Sequence, residues 1–444
     1  MKHFIVAAVS TAVVSRVNRQ GTRKKAASRH CRPKNGGWNV LLVSLATLSC
    51  QVPLTEILGA PITTGDMWVT DNADAVDSGR ILKITPAGVA TVAVSAAEID
   101  AARTVAGDVF SEGTGARFTD NDIVFDAYGN FYFTESVSDG LFRINQYGGL
   151  VQLVKESDIT AKTQESGASP QCIAAGSGTQ LYVTDYYSDS VLSINRITGE
   201  VEILVSEVEL ESALGVGDID LDGGISLSPD ETKLYVVNTD GNDSVIEIDI
   251  SGTSPVITQL ADESDFPGGV ADLYEFITTA PNGDILVVED YVEQIIRVPA
   301  NGDPLSVFLS ETIIEDVLGH DVDPTGGIDF DLDGNFFLAQ SANETGHTDA
   351  ILKWFADDPS LGTIDVNSGI VFIREAQILA DIGDPSGEVD FVGGFTFVPV
   401  TQPDPLPEPS SIAMLGLGAT ILGSVWYCRR RKQTLPRRCL NQVR

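Results

Sequence analysis

Leu181-Tyr-Val-Thr-Asp185 is followed by Val191-Leu-Ser-Ile194, by the turn Thr198-Gly-Glu200 and by Val201-Glu-Ile-Leu-Val205; the fold is read from this stretch. Each segment concentrates β-branched and aromatic residues, as buried strands do, and a glycine marks the return. The first segment has five counterparts: Met67-Trp-Val-Thr-Asp71, Phe131-Tyr-Phe-Thr-Glu135, Leu234-Tyr-Val-Val-Asn238, Ile285-Leu-Val-Val-Glu289 and Phe336-Phe-Leu-Ala-Gln340. Their last residues fall 64, 50, 53, 51 and 51 positions apart. A period of that length belongs to repeat architectures. Every one of the six ends in an acid or an amide.

A second strand follows each, as in Ile81-Leu-Lys-Ile84, Leu141-Phe-Arg-Ile144, Val245-Ile-Glu-Ile248, Ile295-Ile-Arg-Val298 and Ile351-Leu-Lys-Trp354. Another precedes most of them, as in Ile123-Val-Phe-Asp126, Ile225-Ser-Leu-Ser228 and Ile328-Asp-Phe-Asp331, joined by turns such as Tyr128-Gly-Asn130 and Asp333-Gly-Asn335. Four strands in six units predict an all-β chain, a six-bladed β-propeller over residues 61–400. The first unit lacks its innermost strand. Gly393-Gly-Phe-Thr-Phe-Val398 is available to supply it, which predicts a ring closed by pairing the N- and C-terminal strands. Through the Tyr-Val-Thr-Asp strand end followed by Ile-x-x-Ile, the repeats resemble NHL and SMP-30-like propellers; the Trp-Asp pair of WD40 blades is missing.

The charge is partitioned. Of 28 Lys and Arg and 63 Asp and Glu in 444 residues, residues 1–60 carry nine basic and one acidic, and residues 409–444 carry seven basic and none acidic. The stretch between them, residues 61–408, keeps 12 basic against 62 acidic residues, so the formal net of −35 conceals a body at −50. Such a surface repels phosphates and excludes nucleic acid as a partner. Residues 1–60 read as a signal peptide with a long basic n-region ahead of the short apolar run Val40–Leu48. At the other end, 401–411 is a Pro-rich spacer, 412–428 an apolar stretch that predicts a transmembrane helix, and 429–444 a basic tail. Arg429, Arg430 and Arg431 place that tail in the cytoplasm by the positive-inside rule. Four of the five cysteines lie in these ends, so Cys172 alone remains in the body and an internal disulfide or a CxxC site is excluded there.

With Pro407-Glu408-Pro409 as its signature, the tail resembles the PEP-CTERM sorting signal of bacterial surface proteins. The resemblance implies a membrane-embedded exosortase as partner. It also implies inner-membrane anchoring through the C-terminal helix and then delivery to the cell surface or extracellular matrix. The 12 residues after Lys432 make this tail longer than is usual in that family.

In a blade with strands A to D from the axis outward, the B–C and D–A connections share one face. The strand-B ends Asp71, Glu135, Asp185, Asn238, Glu289 and Gln340 are therefore expected as a channel-face polar ring. The D–A connections beginning at Ser95, Ser206, Ser310 and Arg374 read as short helices, the first two with capping boxes to Glu98 and Glu209. Asp220-Leu-Asp-Gly-Gly-Ile225, Asp323-Pro-Thr-Gly-Gly-Ile328 and Asp390-Phe-Val-Gly-Gly-Phe395 align without gaps; Asp272 holds the same place, with Phe118 and Ala168 in the remaining units. Asp220, Asp222, Asp272, Asp323 and Asp390 are then either solvated turn formers or hard oxygen ligands suited to Ca²⁺, the one cofactor the pattern suggests. Asp218–Gly223 and Asp329–Gly334 mimic half of an EF-hand loop, but Pro229 and Gln340 stand at position twelve, so an EF-hand is rejected. His320 and His347, the two body histidines, read as surface-loop residues.

No nucleophile elbow, zinc-protease motif or phosphate loop is present. The sequence thus reads as an exported, surface-sorted, non-catalytic binding or matrix component, with a polysaccharide or an envelope protein as partner. The SMP-30-like resemblance implies an alternative, a metal-dependent lactonase or related hydrolase built on channel groups such as Asp71, Asn238, Asp220 and Asp323.

Overall fold

A strand covered on both faces needs apolar residues at every position, which is why the six quoted segments show no polar alternation. In the computed structural model all six are strands, and every residue of Met67–Asp71, Phe131–Glu135, Ile285–Glu289 and Phe336–Gln340 is buried. The structure describes residues 62–400 apart from 73–78, 109–114, 119–120, 240–242, 268, 270, 321, 323, 325, 342–347, 386 and 392.

Six four-stranded antiparallel sheets form the blades. Blade 2 runs Ile123–Phe125, Phe131–Glu135, Gly140–Ile144 and Leu150–Val154, and blade 3 runs Pro170–Ala175, Gln180–Asp185, Ser190–Asn195 and Val201–Val205. Blade 4 has Ile225–Leu227, Lys233–Asn238, Ser244–Asp249 and Val256–Asp262. Blade 5 has Leu273–Thr279, Ile285–Glu289, Gln294–Val298 and Ser306–Leu309, and blade 6 has Ile328–Phe330, Phe336–Gln340, Ala350–Trp354 and Ile370–Arg374. Blade 1 takes Met67–Asp71, Arg80–Ile84 and Ala90–Val94 from the start of the domain and Phe395–Phe397 from its end. The expected closure is therefore present, with Trp68 opposite Thr396 and Val69 opposite Phe395. Each inner strand touches the next around the ring, last to first.

The core is divided among the six blade interfaces. Trp68 of blade 1 meets Phe131 of blade 2 at 4.6 Å between ring centroids, and Phe337 of blade 6 meets Phe397 of blade 1 at 4.9 Å. Similar clusters join blades 2 and 3, 3 and 4, 4 and 5, and 5 and 6. Cys172 is buried in the interface of blades 3 and 4. Burial of this kind, at roughly 25 cal/mol per Å² of apolar surface, is what replaces disulfides in the domain.

Helices Ala96–Ala106, Glu207–Leu214, Glu311–Leu318 and Glu375–Ile382 occupy the expected D–A connections. The Ser95 and Ser206 amides donate to Glu98 and Glu209 at 2.8 and 3.0 Å, completing both capping boxes. A fifth helix, Glu156–Thr163, starts after Lys155 and carries no Ser or Thr signal. Each of the five helices packs on the outer strand of the blade that follows it, so they strap neighbouring blades together.

Two features go beyond the sequence reading. Every C–D pair has a register shift at the same place, between Ile81 and Leu82 in blade 1 and between Ile351 and Leu352 in blade 6, for example. A bulge there increases the twist the outer strand needs. Blade 6 also carries an extra hairpin, Ala356–Asp358 with Thr363–Ile364, between its C and D strands. Among the described residues no helix is long and apolar enough to cross a membrane; the expected signal peptide over 1–60 and the expected transmembrane helix over 412–428 lie outside them.

Candidate binding channel

The strand-B ends are buried and tied to backbone. Asp185 Oδ1 accepts from the Ser169 amide at 2.8 Å, Asn238 Oδ1 from Asp220 at 2.8 Å, and Asp71 Oδ1 from Asp390 at 3.0 Å. Glu135 Oε1 takes the Arg117 and Val137 amides at 3.0 and 2.8 Å, and its Oε2 takes Ser138 at 3.1 Å. Glu289 accepts from Tyr291 and Val292 in the same manner, and the Gln340 amide donates to Ser341 O at 2.8 Å. In blades 2, 3 and 5 the side chain at this position closes its own B–C turn, and in blades 1 to 5 it anchors the incoming D–A segment. Burial pushes the carboxyls of Glu135, Asp185 and Glu289 upward, against the hydrogen bonds that favour the ionised form. The central cavity is lined by other residues.

The same anchoring places the candidate metal ligands. Thr239 donates to Asp220 O at 3.1 Å, Asp290 to Asp272 O at 2.8 Å and Asn72 to Asp390 O at 3.0 Å, so these three acids extend the A–B ladder of their blades. Ser136 and Tyr186 make the same bond to Arg117 and Ser169. Arg117 and Ser169, and not Phe118 and Ala168, therefore hold the equivalent place in blades 2 and 3. Asp222 is half-buried beside Gly223, Asp272 is exposed, and Asp323 lies outside the described residues, as does His347. Among the described residues no group of three or more His, Cys, Asp or Glu side chains is arranged to hold a metal ion.

At the axis the double glycines bring blades into contact. Gly327 donates to Gly393 O at 3.2 Å, Gly394 to Asn121 O at 3.0 Å and Asp122 to Gln171 O at 3.2 Å, linking blades 6, 1, 2 and 3 through main chain. A Cβ on Gly223 would lie 2.5 Å from Val237 O, and one on Gly394 would lie 1.9 Å from Asp122 Oδ1. At Gly223 the obstacle is main chain and only glycine permits the approach; at Gly394 it is the Asp122 side chain.

Below this rim lies a cavity of about 230 Å³ to which all six inner strands contribute. Its polar groups are Asp122, Ser226, Thr278, Thr279, Asp329 and Thr396. Asp329 Oδ1 accepts from the Phe330 amide at 2.8 Å and the Thr278 hydroxyl at 3.3 Å, and Asp122 Oδ1 accepts from the Ile123 amide at 2.7 Å. The Ser226 and Thr279 hydroxyls lie 2.7 Å apart. Both carboxyls line the cavity. Desolvation raises each to about 7, and the charge of Asp329 adds to the rise at Asp122. The pair therefore holds protons near neutral pH, unlike a surface aspartate.

The sequence reading missed both residues, although a signal exists. Ile225-Ser226-Leu227, Ile328-Asp329-Phe330 and Phe395-Thr396-Phe397 each set one polar residue of the cavity lining between two apolar ones, whereas Asp122 stands just before its strand, outside that pattern. Asp329 reads in sequence as one residue of the strand Ile328–Asp331 and of an EF-hand mimic, and neither pattern points across the ring.

Residues 405–432 match the PEP-CTERM protein-sorting motif. That motif implies processing by an exosortase. No curated protein matches the chain. Among solved structures, one chain of a nidogen/laminin complex is similar over 75% of this chain and 98% of its own, at 12% identity and a TM-score of 0.46. A calcium-binding regucalcin from Agrobacterium tumefaciens is similar over 78% and 95%, at 15% identity and 0.40. A gluconolactonase from Xanthomonas campestris is similar over 63% and 84%, at 14% identity and 0.39.

Proposed function

We propose that the chain is an exported propeller, anchored through its C-terminal segment until sorted, that acts at the cell surface or in the extracellular matrix as a non-catalytic binding component. Its ligand site is the central channel, and its partner is a polysaccharide or an envelope protein. The observation that carries this reading is a polar cavity built by all six blades in a chain that ends in a sorting motif. The donor set of carboxyl and hydroxyl groups suits hydrogen-bonded recognition of a hydroxylated molecule. The acidic body keeps such a domain soluble outside the cell.

One observation favours the hydrolase reading instead. Two carboxyls raised to about 7 line one cavity, as a general acid and base pair would. The second reading is then a metal-dependent lactonase acting at Asp122 and Asp329. The acids Asp220, Asp222, Asp272, Asp323 and Asp390 would bind Ca²⁺ in this second reading, and loss of thermal stabilisation by calcium on their replacement is its check.

Two measurements test the proposal. Replacing Pro407, Glu408 and Pro409 with alanine is expected to hold the protein in the inner membrane, whereas the parent chain reaches the surface fraction. The purified full chain in detergent is expected to be retained by matrix polysaccharide or envelope extract and to leave lactone substrates intact with or without calcium. Calcium-dependent lactone opening would replace the binding reading with the hydrolase one.

A further inference from the structure

Resting on the channel as the ligand site, we propose that its ligand presents a primary ammonium group on a hydroxylated body, as an aminated sugar does, and that the ammonium sits between Asp122 and Asp329. No basic side chain lines the cavity, so its two acids, close enough for the charge of Asp329 to act on Asp122, share it without a protein counter-charge in the lining. An uncompensated pair of buried carboxylates is costly, and a cation entering the channel relieves it. An ammonium donates three hydrogen bonds, and the two carboxyls with the hydroxyls of Thr278 or Thr396 supply three acceptors. Acceptor capacity remains, since a carboxylate has about four lone-pair positions, while Asp122 takes the Ile123 and Ile173 amides and Asp329 takes the Phe330 amide and the Thr278 and Thr396 hydroxyls.

Size separates this ligand from a bare metal ion. A cavity of about 230 Å³ is several times the roughly 30 Å³ share of one water. It therefore has room for an ammonium together with its carbon stem. A metal ion at this spot would lack a third acid or histidine among the described residues.

Charge linkage follows. The titratable groups at the ligand position are Asp122 and Asp329; the next charges are Asp331, which bears on Asp329, and Lys353, 3.4 Å from Asp331. An ammonium ligand favours both ionised carboxyls, so its binding releases protons and tightens as the pH rises through about 7.

The test is calorimetric titration of the full chain in detergent with 2-aminoethyl glucoside, its neutral isostere 2-hydroxyethyl glucoside, and calcium chloride, at pH 6 and pH 8. An alkylammonium stays protonated over that range. The amine is expected to bind at least tenfold more tightly than the neutral glycoside, with affinity rising about tenfold or more from pH 6 to pH 8. Asp122→Asn and Asp329→Asn are each expected to abolish the preference while leaving a cooperative melt. Equal affinity for both glycosides overturns the ammonium assignment and leaves channel binding standing. Calcium binding that excludes the amine overturns it in favour of a metal site. Binding of neither glycoside, in a protein still retained by polysaccharide, overturns the assignment and moves the site off the channel.

Discussion

Met67 lies directly opposite Phe397 in an antiparallel ladder that joins the first and last strands of the propeller. The ring thus depends on contacts between the two ends of the described chain, and local contacts cannot hold blade 1. Phe397 also packs on Phe337 of blade 6. Phe397→Ala should cost about 3–5 kcal/mol and lower the melting temperature by several degrees. A thermal melt of the variant checks this, and an unchanged midpoint would show that closure does not rest on that strand.

Glu135 should be the least replaceable of the strand-B ends. It accepts from two segments at once and faces the buried Arg103 at 3.8 Å. Glu135→Ala leaves the Arg117 and Val137 amides without this acceptor and removes one of the two acids beside the buried Arg103, a loss of about 3–5 kcal/mol. Denaturant unfolding measures it. Replacement of the exposed Asp272 in the same assay should change stability by less than about 0.5 kcal/mol.

Asp122 and Asp329 give the ligand-free protein a pH dependence of unusual sign. Both have folded values near 7 against about 3.8 unfolded, so the folded state binds more protons between those limits. Their contribution to stability is full below about pH 4, declines as pH rises to about 7, and is constant above. Asp189, also raised to about 7 by burial first and by Asp220 second, adds to the same slope. The depressed carboxyl of Glu209 acts below this window. Replacing both channel acids with asparagine should raise the melting temperature at pH 8 by roughly a few degrees and shrink the fall between pH 5 and 8. Melts of the ligand-free proteins across that range decide it.

Gly394→Ala should act on the site across a blade boundary. The new methyl would occupy the position of the Asp122 carboxyl, so Asp122 must turn away or the strand must move. The expected cost is about 1–3 kcal/mol, with loss of channel ligand binding. Gly107→Ala, where a Cβ meets nothing within 4 Å, strains a left-handed cap but leaves binding intact. Comparing binding by the two folded variants separates the local effect from general destabilisation.

The architecture was legible because strand B is buried on both faces and so writes itself as an apolar run with a constant ending. Closure was legible because one unit lacked a strand and Gly393–Val398 lay unused. The role of the constant ending was not. Asp185 and its counterparts look like surface ligands in sequence, and only the amides of Ser169, Asp220 and Asp390 show what they hold. The channel acids were hidden for a different reason. Asp122 and Asp329 belong to blades separated by blade 1, and their meeting is a property of the ring that no local spacing encodes. The Glu156–Thr163 helix escaped notice because Lys155 offers no capping side chain of the usual kind.

Binding in the channel is tested most directly by retention of the purified full chain on the extracellular polysaccharide and envelope fraction of the producing cells, beside the Asp122→Asn, Asp329→Asn double variant. Channel binding predicts saturable retention of the parent chain and at least a tenfold loss in a double variant that still melts cooperatively. Equal retention of the two proteins would contradict it.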